Sequence, residues 1–114
     1  MNIKERLHRI LATLPDGVKL VAVSKFHPAE AVEEAYNAGQ RIFGESRPQE
    51  MAAKAKVLPK DIEWVMIGHL QTNKVKMIAP FVSLVASADS ERLIEEIKKQ
   101  AAKNERTIDI LLEV

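Results

Sequence analysis

The sequence has no cysteine, which excludes disulfides and thiolate metal sites while leaving the redox compartment open. It also lacks a charge imbalance: 17 Lys and Arg stand against 16 Asp and Glu, a net charge of +1. Proteins that grip phosphate backbones usually carry a basic face, so this balance argues against a nucleic-acid partner. No apolar run approaches the length needed to cross a bilayer, and no membrane partner is expected. The N-terminal MNIKERLHRIL is amphipathic and has no continuous apolar core of the kind found in a signal peptide, so the expected compartment is the cytoplasm. Neither G-x-G-x-x-G nor G-x-x-x-x-G-K-[ST] occurs, which argues against nucleotide binding on a glycine-rich loop. Low-complexity segments and internal repeats are absent as well.

What is present is the composition of one small globular domain: 114 residues, 46% hydrophobic and 29% charged,. Ile3, Leu7, Ile10, Leu11 and Leu14 recur at helical spacing, and Pro15-Asp16-Gly17 ends that first helix in a turn. Val18 to Ser24 is nearly all apolar, the pattern of a strand buried on both faces of a parallel sheet. Pro28 opens a second helix, with Ala31, Val32, Ala35 and Tyr36 inward and Gly39 as its left-handed cap. Arg41 to Glu45 reads as a second strand. Ser46 and Gln49 have capping-box spacing for a third helix running to about Val57. Ile62 to Ile67 is a third strand, with Trp64 in the core, and Gly68 permits a tight turn after it. Gln71 to Ala79 reads as a helix ended by Pro80, and Phe81 to Ala86 as a fourth strand. Ser87 to Ser90 caps a helix carrying Leu93, Ile94, Ile97 and Ala101, and Thr107 to Val114 is a fifth strand.

The expected fold class is therefore α/β: an initial helix, then strands and helices in alternation. Strand ends at Lys25, Glu45, Gly68 and Ser87 fall at steps of 20, 23 and 19 residues, as right-handed parallel crossovers require. A five-stranded doubly wound sheet and the opening portion of a (β/α)8 TIM-type barrel both fit. A barrel needs eight strands in about 250 residues. Because the last strand is apolar and followed by no covering helix, the chain reads as an N-terminal portion.

Both architectures bind ligands beyond the carboxyl ends of their strands. Lys25 and His27 fall there, as do Glu45, Ser46 and Arg47. Gly68, His69, Gln71, Thr72, Asn73 and Lys74 follow the third strand, and Ser87, Asp89 and Ser90 the fourth. Such a polar rim suits a phosphorylated or carbonyl-bearing small molecule. Lys25 is the residue of most interest, because an amine with its pKa lowered by burial forms a Schiff base with an aldehyde. A lysine that simply marks the strand's exit into solvent is the alternative. His27 and His69 with Glu45 or Asp89 match no metal-ligand spacing, and no metal is expected. Ser24 beside Lys25 does not make a Ser-Lys hydrolase, since adjacent strand residues face opposite ways.

Four segments at these positions carry a resemblance: Val21-Ala22-Val23-Ser24-Lys25 with Pro28, Ala38-Gly39-Gln40-Arg41-Ile42-Phe43-Gly44-Glu45, Gln49-Glu50, and Ile67-Gly68-His69-Leu70-Gln71-Thr72-Asn73-Lys74. In order and separation they resemble the pyridoxal phosphate homeostasis protein family, whose fold is similar to the alanine racemase barrel. The resemblance implies a (β/α)8 barrel of which residues 1–114 are the N-terminal portion. It implies that Lys25 holds pyridoxal 5′-phosphate (PLP) as a Schiff base, with Asn73 and the Gly68 turn near the cofactor. It also implies a role in vitamin B6 and amino-acid homeostasis, as a carrier or regulator rather than a catalyst.

Where many relatives place Asn-Tyr after Phe-Gly-Glu, this sequence has Ser46-Arg47. The later loops that hold the cofactor phosphate in the family are not in these residues, so the chain by itself is expected to bind PLP weakly or not at all. An open arc of strands is expected to self-associate. Two rival functions stand beside this reading. One is a PLP-dependent amino-acid racemase, which needs a second acid–base group and would draw on His69. The other is a small PLP-independent binding domain in which Lys25 is incidental.

Overall fold

The computed structural model describes residues 2–112. Its elements in chain order are α1 (Ile3–Thr13), β1 (Ala22–Val23), α2 (Ala29–Asn37), β2 (Ile42–Glu45), α3 (Pro48–Val57), β3 (Glu63–Met66), a 3₁₀ turn (Thr72–Lys74), α4 (Val75–Ile78), β4 (Val82–Ala88), α5 (Glu91–Lys103) and β5 (Asp109–Leu112). The five strands form one sheet in the order β1-β2-β3-β4-β5, and every pairing is parallel. This order decides between the two expected architectures. A doubly wound sheet reverses direction at a switch point, whereas here each strand pairs with the next, as in the arc of a barrel.

Crossovers of one hand put the helices on one face of such an arc. The core lies there: Val32 and Ala35 of α2, Met51 and Ala55 of α3, and Leu93 and Ile97 of α5 cluster with Phe43, Trp64, Met66 and Val82 of the strands. Trp64 sits 6.0 Å from Phe43 between ring centroids, tilted at 42°, within the favoured range for an aromatic pair. On the opposite face the sheet is tight at Gly44, where a side chain would press on Ile67 and Val21.

Several boundaries differ from those the sequence suggests. The first strand is two residues long, and Val18 and Val23 are each 51% exposed rather than buried on both faces. The cause is local: β1 is an edge with one neighbour, and the Leu20 carbonyl accepts from the buried Gln40 side chain (2.7 Å), not from a ladder partner. The Ser46–Gln49 capping box does not form; Arg47 is the N-cap of α3, no side chain caps it, and Pro48 takes the first turn. Pro28 likewise precedes α2 as its N-cap. The fourth strand runs on through Ser87 to Ala88, and Ser90 alone caps α5, accepting from Leu93 N–H at 3.2 Å. The fifth strand begins at Asp109; the expected final residues Glu113 and Val114 lie outside the described range.

Candidate functional site

At the carboxyl end of β1 the chain leaves the sheet through a turn, Lys25-Phe26-His27, closed by a hydrogen bond from His27 N–H to the Ser24 carbonyl (3.1 Å). Phe26 sits in that turn with φ +66°. A non-glycine residue there costs about 1–3 kcal/mol and persists only when its surroundings fix it. Lys25 and Phe26 are exposed, Phe26 by 71%, so Lys25 is not the buried amine the sequence suggested but a lysine at the strand's exit into solvent. The Lys25 ammonium lies 6.0 Å from the Phe26 ring centroid, and the Arg47 guanidinium lies 5.5 Å from the same ring. The Ser46-Arg47 departure thus brings a second cation to the exit of the first strand.

The turn rests on a buried polar cluster. Ser24 N–H donates to Gly44 O (2.9 Å), and its hydroxyl donates to Gly44 O (3.3 Å) and to Glu45 Oε2. Lys54 Nζ donates to the same Glu45 oxygen (2.8 Å) and to the Ser24 carbonyl (2.9 Å). Glu45 is fully buried, with Ser24 and Lys54 nearly so. Glu45 is therefore not a rim residue, as its place at a strand end suggested; it points into the helix layer beneath the rim. Leaving either charge of such a buried pair without the other costs about 3–5 kcal/mol. Lys54 went unread in the sequence, yet a signal exists. Met51, Lys54, Ala55 and Leu58 fall at helical spacing on the buried side, so Lys54 is a charge on an apolar face and needs a buried partner.

The other two residues singled out for the cofactor occupy the same end of the sheet. Gly68 follows β3, where a Cβ would lie 2.3 Å from the Ser46 carbonyl oxygen. Its own carbonyl accepts from Ser87 Oγ at 2.5 Å. Asn73 is exposed in the 3₁₀ turn beyond it. Among the described residues, no side-chain hydrogen bond or ion pair is found for Lys25 or Asn73. His69 Nδ1 lies 3.5 Å from Asp89 Oδ2, both largely exposed. His27 is exposed. A depression of about 660 Å³ opens at the opposite end of the strands, beside Lys60, Glu63 and Arg106. Its arginine already serves the carbonyls of Ala79 and Val82, so the depression reads as a structural joint.

The free amine at a strand exit, over an aromatic ring and near a guanidinium, fits a ligand with an aldehyde and an anionic group. Among the described residues, no helix is long and apolar enough to cross a membrane.

Known proteins agree with this architecture. The chain is 41% identical to a pyridoxal phosphate homeostasis protein of Aquifex aeolicus, over all of this chain and 55% of that protein. A protein of the same name from Schizosaccharomyces pombe is 50% identical over 67% of this chain and 33% of its own length. Among solved structures, PipY of Synechococcus elongatus with PLP bound superimposes with a TM-score of 0.88 at 42% identity, covering 96% of this chain and 52% of PipY. The same protein without PLP gives 0.87. The chain thus spans about half the length of the proteins it matches. Residues 1–114 match the sequence profile of the alanine racemase N-terminal domain, and the chain belongs to that family, with pyridoxal phosphate homeostasis proteins among its relatives.

Proposed function

We propose that residues 1–114 are the N-terminal portion of one PLP-binding (β/α)8 barrel domain, acting in vitamin B6 and amino-acid homeostasis, and that Lys25 is its covalent anchor. The observation that carries this is the placement of Lys25: a free, exposed primary amine at the carboxyl end of the first strand, on a turn fixed from below. PLP, when bound, supplies an aldehyde to that amine and a phosphate dianion. Gly68 and Asn73 belong to the wall of the same pocket in this reading. The names of the relatives and the PLP-bound PipY support the choice of cofactor.

We assign carriage rather than turnover. Racemisation needs acid–base groups on opposite faces of a substrate. The relatives are named for homeostasis instead, and His69, the rim's candidate for the second group, is an exposed residue 3.5 Å from Asp89. The cytoplasm is the compartment we propose. The 114-residue chain lacks the later family loops, so we expect weak PLP affinity and self-association from it alone.

Titration of a polypeptide extended through the family's later strands with PLP, followed by borohydride reduction and peptide mapping, tests the assignment. A selective adduct on Lys25 that disappears in Lys25→Ala supports it. Adducts scattered over the exposed lysines, with Lys25→Ala unchanged, overturn it. Alanine racemisation that is lost in Lys25→Ala would replace carriage with catalysis.

A further inference from the structure

The buried pair Glu45–Lys54 lies beneath the rim and converges on the residue that precedes the anchor. The Ser24 carbonyl receives two donors: His27 N–H at 3.1 Å, which closes the turn, and Lys54 Nζ at 2.9 Å, from helix α3. Glu45 takes the Ser24 hydroxyl and the Lys54 ammonium on one oxygen. With its N–H on Gly44 O, Ser24 has every polar group engaged. The next two residues are the exposed amine and a phenylalanine held at φ +66°.

We propose that Glu45 and Lys54 are positioning residues for Lys25: their ion pair grips the Ser24 carbonyl and hydroxyl, and so fixes the strained turn from which the anchoring amine projects. This rests on the assignment of Lys25 above. Packing alone does not explain the pair. A methionine fills a lysine's volume, and apolar replacements of buried ion pairs are often neutral or stabilising. What an apolar replacement cannot do is donate a charged hydrogen bond to a carbonyl that already closes a turn. The arrangement also spans three elements, β1, β2 and α3, so the turn's geometry follows the helix layer and not only its own short loop.

The test compares a polypeptide extended through the family's later strands with two variants of it. Lys54→Met removes the donor but leaves a buried carboxylate unpaired, which endangers folding. Glu45→Gln/Lys54→Met leaves no net charge buried, and glutamine can still accept from Ser24. Circular dichroism confirms that each variant folds. PLP is then trapped with borohydride, and the rate at Lys25 is divided by the rate at the exposed Lys98 of the same molecule. Because global unfolding would also erase a preference for Lys25, the ratio is read only where circular dichroism shows each variant fully folded. Amide exchange at His27, whose N–H closes the turn, is measured on the same samples.

The expected result for the folded double variant is a roughly tenfold fall in the Lys25-to-Lys98 ratio, with faster exchange at the His27 amide. An unchanged ratio with unchanged exchange overturns the proposal. If the unsubstituted extended polypeptide shows no preference for Lys25, the anchor assignment fails instead. Exchange at His27, whose N–H closes the turn, then still decides whether the pair fixes the turn.

Discussion

A methyl group at Gly68 would lie 2.3 Å from the carbonyl oxygen of Ser46 and 2.9 Å from its Cα. The exits of β2 and β3 therefore touch backbone to backbone, and the Ile67 N–H donates to the Glu45 carbonyl just before the contact (2.9 Å). Alanine at 68 must push the two exits apart, because the obstacle is main chain and cannot rotate away. Overpacking of this kind costs about 1–3 kcal/mol, and a backbone obstacle puts Gly68→Ala at the upper end. Denaturant melts should show that loss, with faster amide exchange at Ile67. A variant as stable as the parent would show that the two exits are free to separate.

At the other end of the sheet, stability should depend on pH through Tyr36, Arg41 and Asp61. The Tyr36 hydroxyl donates to Asp61 Oδ1 (2.6 Å), Arg41 Nε lies 3.3 Å from Asp61 Oδ2, and the guanidinium stacks 3.8 Å above the tyrosine ring. The hydrogen bond from Tyr36 holds the Asp61 carboxyl below its usual range, with Arg41 assisting. The same bond pushes the Tyr36 phenol above its usual value. A depressed carboxyl stabilises the fold above its unfolded pKa, and that contribution is lost as pH falls through the lower folded value. A raised phenol stabilises below its unfolded pKa, and that contribution is lost as pH rises through the higher folded value. Stability measured against pH should therefore decline at both ends. Tyr36→Phe should remove the tyrosine's share of the alkaline decline and soften the acid one. Curves that superimpose would show the cluster to be without weight.

Glu105 follows α5 at φ +52°, and the chain reverses there through Glu105 N–H to Ala102 O (3.1 Å) and Arg106 N–H to Ala101 O (2.9 Å). Helices commonly end on glycine in this conformation. Glu105→Gly removes the Cβ penalty and should gain about 1 kcal/mol, against which glycine's looser unfolded chain counts only in part. For a domain of this size that raises Tm by about 4 °C. A lower Tm would mean that the glutamate side chain contributes more than its backbone costs.

The periodic elements were legible in the sequence because their signals are local. The alternation of strands and helices, Gly39 after α2 at φ +112° and Trp64 in the core all follow from spacing and residue type. The two-residue β1 was not legible, since the apolar run Val18 to Val23 says nothing about which strand lies beside it; that depends on Gln40, 20 residues on from Leu20. The Glu45–Lys54 pair escaped for the same reason. A glutamate at the end of a strand reads as rim until the helix that covers it is known to carry a lysine inward. Lys25 was legible as a strand-exit amine, but the buried support for its turn lies in residues distant along the chain.

The sheet ends in two strands with one neighbour each, and both present apolar side chains: Val23 is 51% exposed on β1, and Leu111 and Leu112 are 56% and 62% exposed on β5. A parallel edge with free N–H and C=O groups beside exposed valine and leucine is a template for another chain. Sedimentation velocity on the 114-residue chain should accordingly show concentration-dependent association. A lysine on an edge strand opposes pairing, because its charge must be desolvated when a second strand docks, so Leu112→Lys should shift the distribution toward monomer. The relatives continue for about as many residues again. A polypeptide extended with those later strands should cover both edges and sediment as a smaller assembly at equal concentration. If the short chain sediments as a monomer and melts cooperatively, the edges are protected by their own twist and shortness, and association is not how this arc hides its apolar face.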